Sequence, residues 1–294
     1  MSNVGLIIEE RAADLGNFLV GRLLPFRQKR AVGPFVFIDH MGPTALKDHE
    51  NLDVGPHPHI GLSTLTYLFE GSIQHKDSIG NDLEIKPGAV NWMTAGKGVV
   101  HSERTPSYLR NTDKFLHGLQ IWVALPKELE DIDPNFVHVP AEKLPVWSEN
   151  GVDYKLIAGK LGEYESPIPV YSPLYCLEIK TSKDVTLKLG NLLYGESALY
   201  ILKGEVEDKG NAYGEKQLLV AKDPELCELS IKANSELYLF GGEALPQEHF
   251  IYWNFVSSSK DKIEKAKEDW TNHNFPKVPG DDDYVPMPDY TKKK

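Results

Sequence analysis

Short apolar runs broken by turn residues dominate the first half of the chain. FVFID (35–39), STLTYLF (63–69), AVNWMT (89–94) and LQIWVAL (119–125) are punctuated by Glu70-Gly71, Gly80-Asn81-Asp82, Pro87-Gly88 and Gly96-Lys97-Gly98. Strand-length runs at such regular spacing predict an antiparallel sandwich or barrel. A Pro-rich, acidic stretch over 126–150 reads as a crossover, after which YCLEIK, VTLKL, SALYILKGEV, QLLVA, CELSI and SELYLFGG form a second strand-rich block. Two all-β blocks of similar size predict two copies of one architecture. The boundaries drawn from this pattern are a first barrel over 1–135, a linker over 136–150, a second barrel over 151–256, and a helix and tail over 257–294. In SSSKDKIEKAKEDW (257–270), Ile263, Ala266 and Trp270 recur at helical spacing and a serine can cap the start. The remaining tail has too much Pro and Asp for a helix or a central strand, and reads as an extended lid or a loose end.

Composition narrows the partners. The 294 residues are 41% hydrophobic, ample for a packed core, with 43 acidic against 32 basic residues and a formal net charge of −11. Direct nucleic-acid binding is not expected, because neutralising phosphates needs clustered Lys and Arg, and the sole basic cluster is the terminal Lys292–Lys294 run. Cys176 and Cys227 lie in apolar strand-like stretches and read as buried free thiols. The first residues lack a basic region followed by an apolar run, and no stretch has the length of a membrane span. The expectation is a soluble, reduced, cytoplasmic protein.

Chemistry concentrates in two short motifs. In PHPHIG (56–61), His57 and His59 are two apart, and in GKGVVHSE (96–103) so are His101 and Glu103. On a strand each pair shares a face. If both faces line one small barrel, three imidazoles and a carboxylate converge. Three nitrogens and one oxygen suit Fe, Ni, Mn, Cu or Zn better than Ca or Mg. Four such ligands on a six-coordinate ion leave two positions open for a bidentate substrate, or for substrate and O2. The set is related to the facial triad of non-haem iron oxygenases, which makes Fe(II) the first choice of metal.

The run from His57 to Glu103, together with FVFIDHMGP (35–43), FLHGLQIWVALP (115–126), the C-terminal helix and FPKVPGD, resembles the pirins, bicupins of the cupin superfamily. The resemblance covers nearly the whole chain. It implies an all-β fold of two stacked cupin barrels with a C-terminal helix and extended tail. It also implies a metal site in the first barrel alone, held by His57, His59, His101 and Glu103. The letters agree on the last point, since His249 is the one histidine between 151 and 255. Many cupins carry a glutamate four or five residues after the second motif histidine. Ser63 and Thr64 stand there, leaving Glu103 to supply the carboxylate. Pirins often have Arg where this chain has Ile60, which predicts a more apolar rim.

The activity this implies is a quercetin 2,3-dioxygenase-like cleavage of flavonol substrates with O2, with Glu103 as the catalytic base that takes the proton of the substrate hydroxyl. The alternative is a metal-containing regulatory adaptor that binds a transcription factor or a metabolic enzyme as its protein partner. The remaining candidates read more plainly. His75 and Asp77 are expected on an exposed polar face in preference to a supporting role behind the metal ligands. His40 is expected as a hydrogen-bonded turn histidine and His117 as a satisfied core histidine. Trp92 and Met93 alternate, so one of them faces the barrel interior.

Overall fold

The computed structural model describes residues 2–14, 18–224 and 227–289, and the Lys292–Lys294 cluster lies outside them. The chain divides into two compact units, both built of β-sheet. One unit comprises Met1–Ala13, Gly21–Asp39 and Val139–Leu245, and the other Asp14–Val20, His40–His138 and Pro246–Lys294.

The sequence-drawn boundaries differ from these units at both ends of the chain. Val4–Glu9 is a strand that the turn pattern did not reveal, and it pairs antiparallel with Gln217–Ala221 in the second barrel. An open sheet edge is a row of unpaired backbone donors and acceptors, and Gln217–Ala221 would be that edge without the N-terminal strand. The larger sheet of this unit continues from Gln217–Ala221 through Glu196–Lys203, Glu236–Gly242, Leu174–Thr181 and Val152–Leu161 to Val146–Glu149. Its inward residues are aliphatic, among them Leu156, Leu177, Ile179, Leu199, Ile201, Leu237 and Leu239. Each fully buried side chain of this kind contributes about 1.5–3 kcal/mol. Cys176 and Cys227 are buried and free, as expected. Among the described residues no group of metal donors gathers in this unit.

The other unit carries the two histidine motifs. In its larger sheet Val90–Thr94, Leu62–Glu70, Lys114–Ala124 and Phe35–Leu46 lie side by side. The smaller sheet runs Asp53–His59, Val99–Arg104, Ile73–Asp77 and Asp82–Ile85. Leu62–Leu68 is buried at every residue, so both of its faces are covered and the strand reads as a continuous run.

The helix observed is Lys260–Thr271, with Ile263, Ala266 and Trp270 buried as the periodicity predicts. Its start differs from the expected serine cap. Ser259 sits at the N-cap without a side-chain bond to the helix. The Ser258 N–H and the Ser257 hydroxyl instead donate to the buried Glu130 carboxylate, at 2.6 and 2.7 Å. Residues 274–289 form neither helix nor strand and turn at Pro279-Gly280. The Val285 N–H donates to the Pro56 carbonyl, Trp270 Nε1–H donates to the Val285 carbonyl, and the Trp270 and Tyr284 rings stack 4.6 Å apart. Arg104 grips the same segment, with a two-point bond to Asp281 and a third bond to Asp283. No helix among the described residues is long and apolar enough to cross a membrane.

Candidate metal centre

Strand pairing brings the two motifs together. Val99–Arg104 runs antiparallel to Asp53–His59 with His101 opposite His57 and Val99 opposite His59. Residues paired across a ladder share a face, so His57, His59, Val99 and His101 point one way. The register then slips, and Glu103 faces Val54. The extra residue falls at Gly55-Pro56, a β-bulge of the kind that re-aims side chains beside functional sites. The bulge leaves the Gly55 carbonyl 2.8 Å from His57 Nδ1. A carbonyl only accepts, so His57 carries its proton on Nδ1 and keeps Nε2 bare.

His57, His59 and His101 are all buried and present ring nitrogens within 4.8 Å of one another, and they form the one such group among the described residues. His59 Nε2 and His101 Nε2 are 3.1 Å apart. Two nitrogens each about 2.1 Å from a common ion stand roughly 3.0–3.4 Å apart, so the donor set fits a transition metal. Burial keeps the rings neutral. It depresses His57 to about 4 and holds His59 and His101 well below the usual imidazole range, with the neighbouring rings adding to the effect. A neutral ring is the form that donates a lone pair.

Glu103 stands outside the three-histidine group. Burial raises its carboxyl above the ordinary range, only partly offset by His75 and by Thr66. Thr66 Oγ1 lies 3.5 Å from Glu103 Oε1 and 2.9 Å from Gln120 Oε1. Register places Asn91, Thr66 and Gln120 in one row across three strands, and Met93, Thr64 and Trp122 in the next. Trp122 meets His59 edge-on with ring centroids 5.2 Å apart, so this face looks at the histidines. Of the alternating pair, Met93 therefore shares the site's wall. Trp92 is on the opposite face with Leu65 and Ile121. Trp122 went unassigned in the sequence; its alternation with Ile121 and Val123 was the available signal.

Three expectations change. His75 and Asp77 are buried rather than exposed, because Ile73–Asp77 is an inner strand of the smaller sheet, flanked on both sides. Asp77 pairs with His101 and His75 with Glu103, which puts them on the same inward face. His40 belongs to the strand Phe35–Leu46, where its Nε2 meets His117 Nε2 at 2.8 Å. Ile60 is not at the rim. It packs with Val100, Phe255, Ile263, Ala266 and Trp270 under the helix, on the face opposite the histidines. The tail joins that same cluster through Val278 and Met287, so it backs the histidine strands from outside.

Comparison with known proteins bears on this geometry. The family model described as pirin matches residues 17–123, and that described as the pirin C-terminal cupin domain matches 176–276. The chain belongs to the pirin family. A pirin-like protein of Caulobacter vibrioides is 48% identical over 292 residues, covering 97% of this chain and all of that one. A crystal structure titled quercetin 2,3-dioxygenase from Acinetobacter baumannii superposes with a TM-score of 0.85 at 32% identity, over 98% of this chain and 97% of its own. A bacterial pirin from Escherichia coli, solved in complex with nickel(II), shares the fold with a TM-score of 0.61 at 20% identity, over 81% of this chain and 99% of its own. This pirin is thus a bicupin related to proteins named as quercetin dioxygenases.

Proposed function

We propose that this pirin is a metal-dependent dioxygenase that opens flavonol-type substrates with O2, using His57, His59, His101 and Glu103 around a divalent transition metal. The observation that carries the reading is the cluster of three buried, neutral imidazoles with two Nε2 atoms 3.1 Å apart. A bound metal would supply Lewis acidity, lowering the pKa of a substrate hydroxyl and orienting the resulting anion.

The chain's own residues supply the rest. Glu103 is two residues from His101 on one strand, and its carboxyl is raised by burial. A base with a raised pKa is better matched to taking a proton near neutral pH and returning it later. Met93, Thr64 and Trp122 lie on the face that looks at the histidines, and the apolar side chains of Met93 and Trp122 suit an aromatic ligand. The adjoining Asn91, Thr66 and Gln120 row offers hydrogen bonds to ring hydroxyls. Fe(II) is the first choice of metal, with Ni, Mn, Cu and Zn suited to the same donors.

The test is O2 consumption by the purified protein. Turnover that requires both flavonol and metal, and disappears in His101→Ala with the fold retained, supports the reading. A metal-loaded protein that consumes no O2 with any flavonol sinks it. Capture of one protein partner from lysate, unchanged by flavonol, would then favour the adaptor role.

A further inference from the structure

The polar residues behind the three histidines form a directed chain. Asp77 accepts four hydrogen bonds. Its Oδ1 takes the backbone N–H groups of Ile79 and Asn81 at 3.1 and 2.9 Å, and its Oδ2 takes Asn81 Nδ2 at 2.8 Å and His75 Nε2 at 3.1 Å. A carboxylate serving so many donors is an acceptor only. The proton on the Asp77–His75 bond therefore sits on His75 Nε2. With Nε2 given to Asp77, Nδ1 is the nitrogen His75 has left to accept with, and that atom faces His101 Nδ1 at 3.4 Å. One of two facing nitrogens must donate, so His101 carries its proton on Nδ1. Its Nε2 is left bare and turned toward His59 Nε2. The opposite His101 tautomer would set two lone pairs against each other in a buried space.

Packing keeps the chain in place. Asp77, His75 and His101 are all buried. The Phe136 ring covers His75 with centroids 4.7 Å apart and 30° between the planes. Ladder pairing of Ile73–Asp77 with Val99–Arg104 fixes Asp77 opposite His101.

We infer that His75 and Asp77 are positioning residues, which set the ring tautomer and orientation of His101 through an Asp77–His75–His101 hydrogen-bond chain and so hold its Nε2 ready for a metal. This rests on the metal-site reading above. His57 is set differently, by the Gly55 carbonyl on the bulge. Two of the three rings thus have Nδ1 committed by the fold and Nε2 turned to the centre.

Two measurements test the inference. The first is the ring nitrogen spectrum of metal-free protein labelled with 15N-histidine. The expected result is His101 as the Nδ1–H tautomer, and His101 as the Nε2–H tautomer overturns the inference without reference to any metal. The second is nickel(II) affinity by chelator competition, alongside thermal melting of the metal-free proteins. Removing a partner of a ligating histidine weakens metal binding by about 10–100-fold. His75→Phe, which fills the slot without a nitrogen, should fall in that range, and His75→Gln, whose amide oxygen can accept the same bond, should recover part of the loss. A folded His75→Phe that binds nickel as tightly as wild type overturns the inference, because a packing role alone would lower the melting temperature and spare the affinity. Should His75→Phe fail to fold, the Gln variant and the wild-type tautomer still decide. A wild type that binds no nickel or other transition metal would instead defeat the metal-site reading, while the tautomer result stands by itself.

Discussion

Glu130 offers a stability test whose size can be worked from its contacts. It is almost fully buried and accepts from the Ser257 hydroxyl, the Ser258 N–H and Lys262 Nζ, with His249 Nε2 3.5 Å away. Burial alone would raise its carboxyl, but the contacts from His249, Ser257 and Ser258 more than offset this and bring it down to about 2 from 4.5. At about 1.4 kcal/mol per pH unit, the charged form is favoured in the fold by roughly 3 kcal/mol. The native pKa lies below the unfolded one, so this stability is fully present above about pH 4.5 and is lost as pH falls toward 2. Glu130→Gln keeps the shape, removes the charge and sets an amide against Ser258 and Lys262. Urea denaturation at pH 7 should show a loss of about 2–3 kcal/mol. At pH 3 the wild type has itself given up about 2 kcal/mol, and the gap between the two proteins should narrow to about 1 kcal/mol. A gap that stays constant between pH 7 and pH 3, or a variant as stable as wild type at pH 7, would refute the assignment. The consequence reaches the histidine strands, because Ser257 closes the strand Phe255–Ser257, whose Val256 N–H donates to the Ile60 carbonyl, one residue after His59.

Further outcomes follow from the same contacts. Nickel(II) at about 100 times its dissociation constant should add about 2.7 kcal/mol to unfolding stability, and His57→Ala or His101→Ala should abolish that gain in thermal-shift assays. Arg104→Ala should free the Asp281–Asp283 segment, read as faster amide exchange at Val285, with a global cost below about 2 kcal/mol because the bonds lie near the surface. Met93→Ala should cost about 2–5 kcal/mol by opening a cavity in a fully buried wall, measured by denaturant melts of the metal-free protein. Burial raises both thiols, Cys227 to about 11, so neither should react with a disulfide reagent at pH 8 until the protein is unfolded; rapid native labelling would contradict the burial.

The two histidine motifs were legible because alternation puts His57 and His59 on one face, and the pairing of Asp53–His59 with Val99–Arg104 adds His101 to it. What was not legible depends on which strands become neighbours. QHKD has the same i, i+2 spacing as the ligand motifs, yet only the pairing of Ile73–Asp77 with Val99–Arg104 turns His75 and Asp77 inward. Ile60 follows a ligand directly and was placed at the rim. Alternation sends it to the other face, and the helix that covers that face is about 200 residues later. The strand Val4–Glu9 carries too short a pattern to stand out, and its partner lies over 200 residues away. In each case the deciding contact is distant in sequence, where local propensity is silent.

The return of the Pro246 segment to the histidine unit has a consequence for the order of folding. The strands that carry the histidines precede the other unit's Val139–Leu245 segment in sequence, whereas the stretch from Pro246 onward, which rejoins the histidine unit, follows it. Asp53–His59 and Val99–Arg104 can pair once Arg104 is made, but the Trp270 helix and the Val285 contact with Pro56 come only after the other unit's strands have followed. In the interval the Ile60 and Val100 face is bare apolar surface, open to chaperones or to self-association. Deleting residues from Lys260 onward should therefore loosen the histidine cluster from behind while leaving His57, His59 and His101 in the sequence.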